Sequence, residues 1–223
     1  MENTVTENNI IMKYVVLGIA ALAALASISF FYVKPWYLRK HLPMPVTLAV
    51  NGQPTLGNPK AKIHLVVFED LKCANCARFN NEVMPYLKKQ YIDTGIAKYT
   101  LINLAFIPGS LPAANAAHCV YQQSNTLFFD YVDYIYHHQP PENKNWATIP
   151  ALLNYANAIK GIDGDKLAQC LVNSPYDQFI QNNLTQASKV MQGNVSTPTL
   201  YINGIMASPP TLKNIKKIIE TIE

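Results

Sequence analysis

The 223-residue sequence is poor in charge, in cysteine and in glycine, and each shortage excludes a class of protein. Only 14% of the residues are charged while 49% are hydrophobic, which excludes an intrinsically disordered chain. Four cysteines are too few for a disulfide-dense scaffold, and nine glycines are too few for a collagen-like repeat. The net charge of +4 is not gathered in a basic stripe, which disfavours nucleic-acid binding. The length suits one domain with an appendage, or two small subdomains.

The longest hydrophobic run, residues 14–33, contains no charged residue and is long enough to cross a bilayer as a helix. A cleavable signal peptide is the alternative, because Ala24-Leu25-Ala26 fits the small-x-small pattern of a cleavage site. The apolar run continues past that site to Val33. We therefore expect an uncleaved transmembrane anchor.

This run divides the chain into four segments. We expect a short N-terminal tail at 1–13, the anchor or signal segment at 14–33, a proline-punctuated linker at 34–45 and one main domain at 46–223. The charges that flank the run conflict with a location of the main domain outside the cytoplasm. Lys13 precedes the run, whereas Lys34, Arg39 and Lys40 follow it, and the positive-inside rule would place the side that follows in the cytosol.

Hydrophobic periodicity in the main domain predicts an α/β core with an all-helical insert. Helical patterns fill residues from about 111 to 192, and the chain closes with an amphipathic helix at 211–222. Another helix follows residue 73, and Pro85 should kink it. Strands are predicted at Val46–Val50, Ile63–Phe68, Ile96–Ala105, Thr199–Ile202 and Ile205–Ala207.

Two cysteines, in the sequence Cys73-Ala74-Asn75-Cys76, stand where the Ile63–Phe68 strand gives way to a helix. The first sulfur would lie near the free amides and the positive dipole end of that helix, which favours thiolate over thiol. Cys73 is therefore the candidate nucleophile for disulfide exchange, helped by the positive charge of Lys72. Cys76, one turn into the helix, suits the role of the resolving thiol.

Other chemistry is open to the same pair. Two cysteines can form half of a zinc site, but the remaining cysteines are single and far apart, whereas structural zinc usually takes four ligands. The pair can also be inert, since free cysteine often serves as a small buried hydrophobe. The alternative functions are thus a metal-binding or metal-delivery module, and an envelope chaperone with a vestigial CxxC.

The segments FEDLKCANC and VSTPTLYING, on either side of the long helical insert, resemble the DsbA-like thiol–disulfide oxidoreductases of the thioredoxin superfamily. The resemblance covers roughly residues 46–223 and implies a thioredoxin fold with an inserted helical subdomain. It also implies that Pro198 is a cis-proline whose loop lies against the catalytic disulfide. Thr197 would then face Cys73 and offer backbone hydrogen bonds to a client segment.

The sequence departs from that family in two ways. Thioredoxin-like proteins often carry a buried acid six residues before the first cysteine, but here Val67 occupies that position. Glu69, on the same face of the strand, is the candidate substitute as a proton relay, and a solvated acid at the strand end is the alternative. The Ala-Asn dipeptide also lacks the histidine of strongly oxidising relatives, which predicts a milder oxidant.

The remaining two cysteines, Cys119 and Cys170, both lie in the helical insert. The resemblance includes family members with a second, structural disulfide at these places, and two unpaired buried thiols are the alternative. Such a bond persists in an oxidising compartment, which favours the extracytoplasmic side of the membrane over the side that the flanking charges predict.

The sequence therefore predicts a thiol–disulfide oxidoreductase, either an oxidase or a mild reductase, that acts on cysteine-containing client proteins. We expect a monomer in the periplasm or on the extracytoplasmic face of the inner membrane, anchored there or secreted after cleavage. A membrane protein is the expected redox partner. No metal, organic cofactor or nucleic acid is implied.

Overall fold

The computed structural model describes residues 2–33, 37, 40 and 42–222. The chain divides into two compact units, Met1–Pro43 together with Glu220–Glu223, and Met44–Ile219. Lys34 and Arg39, on which the orientation argument depends, lie outside the described residues, as does part of the predicted linker at 34–45.

The N-terminal unit contains one long helix. Helix α1 spans Glu2–Ile28 and continues as a π-helical turn over Ser29–Val33, so most of the segment predicted as a tail is helical. Val15–Val33 is long and apolar enough to cross a membrane, and none of it is buried within the protein. Length and composition alone do not separate an anchor from a signal sequence at this position, so the segment is a candidate for either.

The main unit is built on a five-stranded mixed sheet. Its strands, in chain order, are β1 (Thr55–Gly57), β2 (Ile63–Asp70), β3 (Ala97–Leu104), β4 (Thr199–Ile202) and β5 (Ile205–Ala207). The spatial order is β1-β3-β2-β4-β5, with β2 and β3 parallel and the other pairs antiparallel. The chain therefore has a thioredoxin fold, and β2, the central strand, has seven of its eight residues buried.

One predicted strand is wrong. Val46–Val50 has no regular secondary structure, although Val46, Leu48 and Val50 do pack against the core. Distant parts of the chain supply hydrogen bonds to this segment without forming a ladder: the Val46 N–H donates to the Gly204 carbonyl, and the Ala49 carbonyl accepts from the Gln186 side chain. The alternating hydrophobicity correctly predicted which side chains face the core. It did not show that the segment has no neighbouring strand with which to pair.

The helices of the main unit fall into three sets along the chain. Helix α2 (Ala74–Glu82) is followed, after a break at Val83, by α3 (Met84–Leu87), and Pro85 in the first turn of α3 accounts for the predicted kink. The insert comprises α4 (Leu111–Tyr121), α5 (Asn125–His138), α6 (Ile149–Asn157), α7 (Gly164–Asn173) and α8 (Asp177–Val190), and α9 (Leu212–Ile222) closes the chain.

A disulfide between Cys119 and Cys170 joins α4 to α7 within the insert. The cross-linked residues are 51 positions apart in the sequence. Closing a loop of this length stabilises the folded state by about 4 kcal/mol in the chain-entropy description. The bond therefore acts on the helical subdomain, away from the two free cysteines.

Candidate active site

The two free cysteines lie at the start of α2, directly after the central strand. Cys73 is the N-cap residue, and its N–H donates to the Asp70 carbonyl oxygen at 2.9 Å. Cys76 is in the first turn of the helix. Both thiols are free, and their residues are 5% and 0% exposed. The central strand β2 and the helix α2 thus hold both sulfurs in a position from which water is largely excluded.

The loop that precedes β4 brings Thr197 and Pro198 to the same place. Phe68 of β2 pairs with Thr199 of β4, so the end of one strand meets the start of the other. The peptide bond between Thr197 and Pro198 is cis, and the Cys73 thiol donates to the Thr197 carbonyl oxygen at 3.5 Å. The structure thus brings together two segments that are 124 residues apart in the sequence.

The two sulfurs have opposite proton affinities. The pKa of Cys73 is lowered to about 6, first by the hydrogen bond from the Cys76 thiol and further by the backbone amides of Cys76 and Asn75, while burial acts in the opposite direction. The pKa of Cys76 is raised well above its usual range, chiefly by burial. At neutral pH Cys73 is therefore mainly a thiolate, and Cys76 is a thiol that can donate a proton.

Glu69 is buried at the end of β2, where its residue is 1% exposed. The interpretation as a solvated acid is therefore wrong. The Tyr136 hydroxyl donates to Glu69 Oε2 at 2.9 Å, while Oε1 has no partner among the residues that the structure describes. Burial raises the pKa of Glu69 to about 8, the Tyr136 hydrogen bond opposes that shift, and the charge on Cys73 adds to it. This carboxyl can accept or release a proton near neutral pH.

Asp70, which the sequence analysis did not single out, holds two loops of the site together. Its Oδ2 accepts from the Phe106 and Ile107 amides, both at 3.0 Å, and from the Ser110 hydroxyl at 2.8 Å. Its Oδ1 accepts from the Lys72 amide at 2.9 Å. An acid at the end of a mostly apolar strand could have marked Asp70 as a structural residue. Its partners could not be predicted, because Phe106, for example, is 36 positions away in the sequence.

A segment of the helical insert reaches the start of α2. The Gln139 side-chain amide donates to the Cys73 carbonyl oxygen at 3.3 Å, and the Ala74 N–H donates to Glu142 Oε2 at 3.2 Å. We call residues 139–145 the strap. A cleft of about 780 Å³ lies between the strap and residues 107–109, with Lys72 on its wall. No pattern in the sequence indicates either strap contact.

Metal binding requires more ligands than the cysteine pair. Within residues 2–33, 37, 40 and 42–222, no group of three or more histidine, cysteine, aspartate or glutamate side chains is arranged to hold a metal ion.

Comparison with known proteins places the main unit among disulfide-exchange proteins. A family model described as thioredoxin matches residues 49–221, which include both cysteines and the cis-proline. Disulfide bond formation protein D of Bacillus subtilis is 29% identical over 178 residues, 78% of this chain and 78% of the relative. A probable disulfide bond formation protein D of Bacillus anthracis is 31% identical over 175 residues, 77% and 79% of the two chains.

Two crystal structures extend the similarity to three dimensions. Chlamydia trachomatis DsbA superimposes with a TM-score of 0.73 and 30% identity, over 81% of this chain and 97% of that one. Oxidised BdbD from Bacillus subtilis superimposes with a TM-score of 0.69 and 27% identity, over 81% and 95%.

Proposed function

Since the chain belongs to the DsbA-like thiol–disulfide oxidoreductases of the thioredoxin superfamily, we propose that it transfers a disulfide between Cys73 and Cys76 to client proteins outside the cytoplasm. This proposal rests on the position and the acidity of the Cys73 sulfur. It lies at the start of a helix, its pKa is lowered to about 6, and it contacts Thr197 beside the cis-proline. A thiolate of low basicity is a good leaving group in disulfide exchange.

The exchange proceeds in two steps. A client thiolate attacks the Cys73 sulfur of the oxidised enzyme, so that the client–Cys73 bond forms and the Cys73–Cys76 bond breaks. Cys76 leaves as a thiolate and takes a proton, for which Glu69 is the proposed donor. A second client thiolate then attacks the client's own sulfur in the mixed disulfide, and Cys73 leaves as a thiolate. The client has lost two electrons and the enzyme has gained them.

Thr197 and Pro198 are the proposed client-binding residues. They lie directly before β4 and beside Cys73, where the backbone of an extended client segment can pair with the protein backbone. Because this contact uses backbone groups, it suits clients of varied sequence.

The direction of transfer is supported by the relatives' names and by the acidity of Cys73. Both Bacillus relatives are named for disulfide bond formation. Comparable cysteines have a pKa of about 7 in thioredoxin and about 3.5 in strongly oxidising DsbA. A Cys73 pKa of about 6 therefore predicts a reduction potential between about −270 mV and about −120 mV, that of an oxidant milder than DsbA.

Location and partners complete the proposal. Residues 14–33 anchor the chain on the extracytoplasmic face of a membrane, where a disulfide such as Cys119–Cys170 persists. A membrane redox partner accepts the two electrons from reduced Cys73 and Cys76, and the protein acts as a monomer without a cofactor.

Single-cysteine variants test this proposal. The oxidised protein should form disulfides in a reduced client. With a client that already carries a disulfide, Cys76→Ser should accumulate a mixed disulfide, because the Cys73 thiolate breaks the client disulfide and no Cys76 thiol is present to resolve the adduct. Cys73→Ser should form no such adduct and should lose the activity. Full activity of Cys73→Ser would contradict the proposal and favour the chaperone alternative.

A further inference from the structure

Glu142 accepts from an amide group at the same helix N-terminus whose next two amides stabilise the Cys73 thiolate. Its Oε2 accepts a hydrogen bond from the Ala74 N–H at 3.2 Å, and Ala74 is the first residue of α2. Glu142 belongs to the strap, which is also tied to the site by Gln139 and the Cys73 carbonyl oxygen. The Glu142 residue is exposed, so nothing in this contact requires an acid for packing.

The partners of the free amides at the start of α2 can be counted. A helix leaves four N–H groups without an intrahelical acceptor at its N-terminus. Here the Cys73 N–H donates to Asp70 and the Ala74 N–H to Glu142, while the Asn75 and Cys76 amides stabilise the Cys73 thiolate. Two anions, a carboxylate and a thiolate, therefore share one helix N-terminus.

We propose that Glu142 lowers the reduction potential of the Cys73–Cys76 pair by competing with the Cys73 thiolate for the N-terminus of α2. The inference rests on the proposed function, since it concerns the same pair of sulfurs. It makes Glu142 a positioning and tuning residue, because its carboxylate acts on the helix N-terminus and not on a client.

The competition exists in only one redox state. Reduction adds two electrons and leaves a negative charge on Cys73, whereas the oxidised pair carries none. The interaction of Glu142 with the helix dipole is favourable in both states, but repulsion between carboxylate and thiolate is confined to the reduced state. Removing the carboxylate charge therefore stabilises the reduced protein and makes the disulfide a stronger oxidant.

Other charges near the sulfur do not remove this competition. Lys72 and Lys144 lie along the same cleft, but the Lys72 ammonium donates to the Pro108 carbonyl oxygen at 2.8 Å. Glu69 approaches the pair from β2, on the buried side, but its raised pKa of about 8 leaves it mainly protonated at pH 7. Of the two acids, Glu142 is the exposed one, so a substitution there removes a charge without disturbing the buried side of the site.

The test is the equilibrium of the full-length protein with glutathione at about pH 7, together with the pKa of Cys73 from thiolate absorbance. In Glu142→Gln, the amide oxygen still accepts from Ala74 while the charge is gone. We expect the equilibrium constant to favour the reduced protein by about three- to tenfold, which is about 15–30 mV. The acid dissociation constant of Cys73 should rise by the same factor, which lowers its pKa, and both effects should shrink at high salt.

Asp165→Asn is the matched control, because Asp165 is an exposed acid in the first turn of α7, well outside the strap. It should leave both quantities unchanged. An unchanged potential in Glu142→Gln, an equal change in the control, or a changed potential with an unchanged pKa would each overturn the inference. Failure of the wild-type pair to exchange with glutathione at all would instead overturn the proposed function.

Discussion

Cys73 and Cys76 carry the same side chain, yet their surroundings separate them into a thiolate and a thiol. The separation comes from hydrogen bonding at the helix N-terminus for Cys73 and from burial for Cys76. Neither effect alone would suffice, since burial by itself raises the pKa of both. The asymmetry of the site is therefore a property of the first turn of α2.

The acidity of Cys73 predicts how its alkylation depends on pH. The rate of reaction of the reduced protein with iodoacetamide should rise with pH to a plateau, with a midpoint near pH 6, because the thiolate is the reacting species. In Cys76→Ala the midpoint should move upward, since the largest cause of the lowered pKa is lost. A wild-type midpoint near the ordinary value of about 8.5 would contradict the prediction.

Burial of Glu69 predicts a stability that falls as pH rises. Its pKa is about 8 in the folded state against an ordinary value of 4.5, so between these values the folded state binds more protons than the unfolded state. The contribution of Glu69 to the free energy of unfolding should then decrease by up to about 1.4 kcal/mol per pH unit across that window. The lowered pKa values of His64 and His118, each about 4, act in the opposite direction below pH 6.5, so the contribution is the difference between the wild-type protein and Glu69→Gln. Denaturant titrations of the oxidised protein would measure it, since the Cys73 thiol does not titrate in that form.

Glu69→Gln should remove this slope, whereas Glu82→Gln, at an exposed position on α2, should retain it. A wild-type slope no larger than that of Glu69→Gln would show that the carboxyl ionises freely in the folded protein.

At the scale of the element, β2 positions the whole site from one end. Its C-terminal residues supply Glu69 and Asp70, the helix that carries the cysteines follows it, and its antiparallel partner β4 begins beside the cis-proline. Because the strand is central and buried, this end of the sheet has little freedom to move. The site is rigid on the side of the sheet and open on the side of the strap.

Asp70→Ala should destabilise the protein by about 3 kcal/mol or more, because it leaves the Phe106 and Ile107 amides and other donors without an acceptor. Asp93→Ala removes an acid from an exposed ion pair with Lys88 and should cost less than about 1 kcal/mol. Chemical denaturation of both variants would compare them. Equal effects would mean that Asp70 does not hold the 106–110 loop.

Patterns of residues close in sequence predicted most helices and strands, but they did not predict which distant residues contact one another. Strands β2 to β5 and the Pro85 kink follow from residues close in sequence, whereas the short strand β1 was not predicted. The CxxC and Thr-Pro motifs located the sulfur site through a family resemblance. The contacts of Asp70 with Ser110 and of Ala74 with Glu142 join residues 40 and 68 positions apart, and no periodicity encodes them. Val46–Val50 failed for the same reason, since strand pairing requires a partner that its own residues do not specify.

At the scale of the whole molecule, an apolar N-terminal helix accompanies a thioredoxin-fold unit that works on cysteines. The sequence left a conflict between the charges around that helix and the redox chemistry of the unit. The Cys119–Cys170 disulfide adds weight to the extracytoplasmic side, because reducing compartments do not maintain such bonds.

Fractionation of cells that express the chain would test its anchoring. We expect the protein in the membrane fraction, extractable by detergent, with the mass of all 223 residues. Protease added from outside, after the cell wall is removed, should digest the main unit. A mature form that begins after Ala26 would indicate a cleaved signal peptide, and protection from protease would restore the orientation that the positive-inside rule predicts.

The bond between α4 and α7 has a consequence for how the enzyme itself matures. Every nascent copy leaves the ribosome with four cysteine thiols. Two of them, Cys119 and Cys170, must be oxidised to a disulfide before the helical subdomain gains its cross-link. A newly made copy is thus a substrate for oxidation before it is a catalyst. The first copies made in a cell therefore depend on an oxidant that is already present, either an oxidised copy of the same protein or an unrelated electron acceptor.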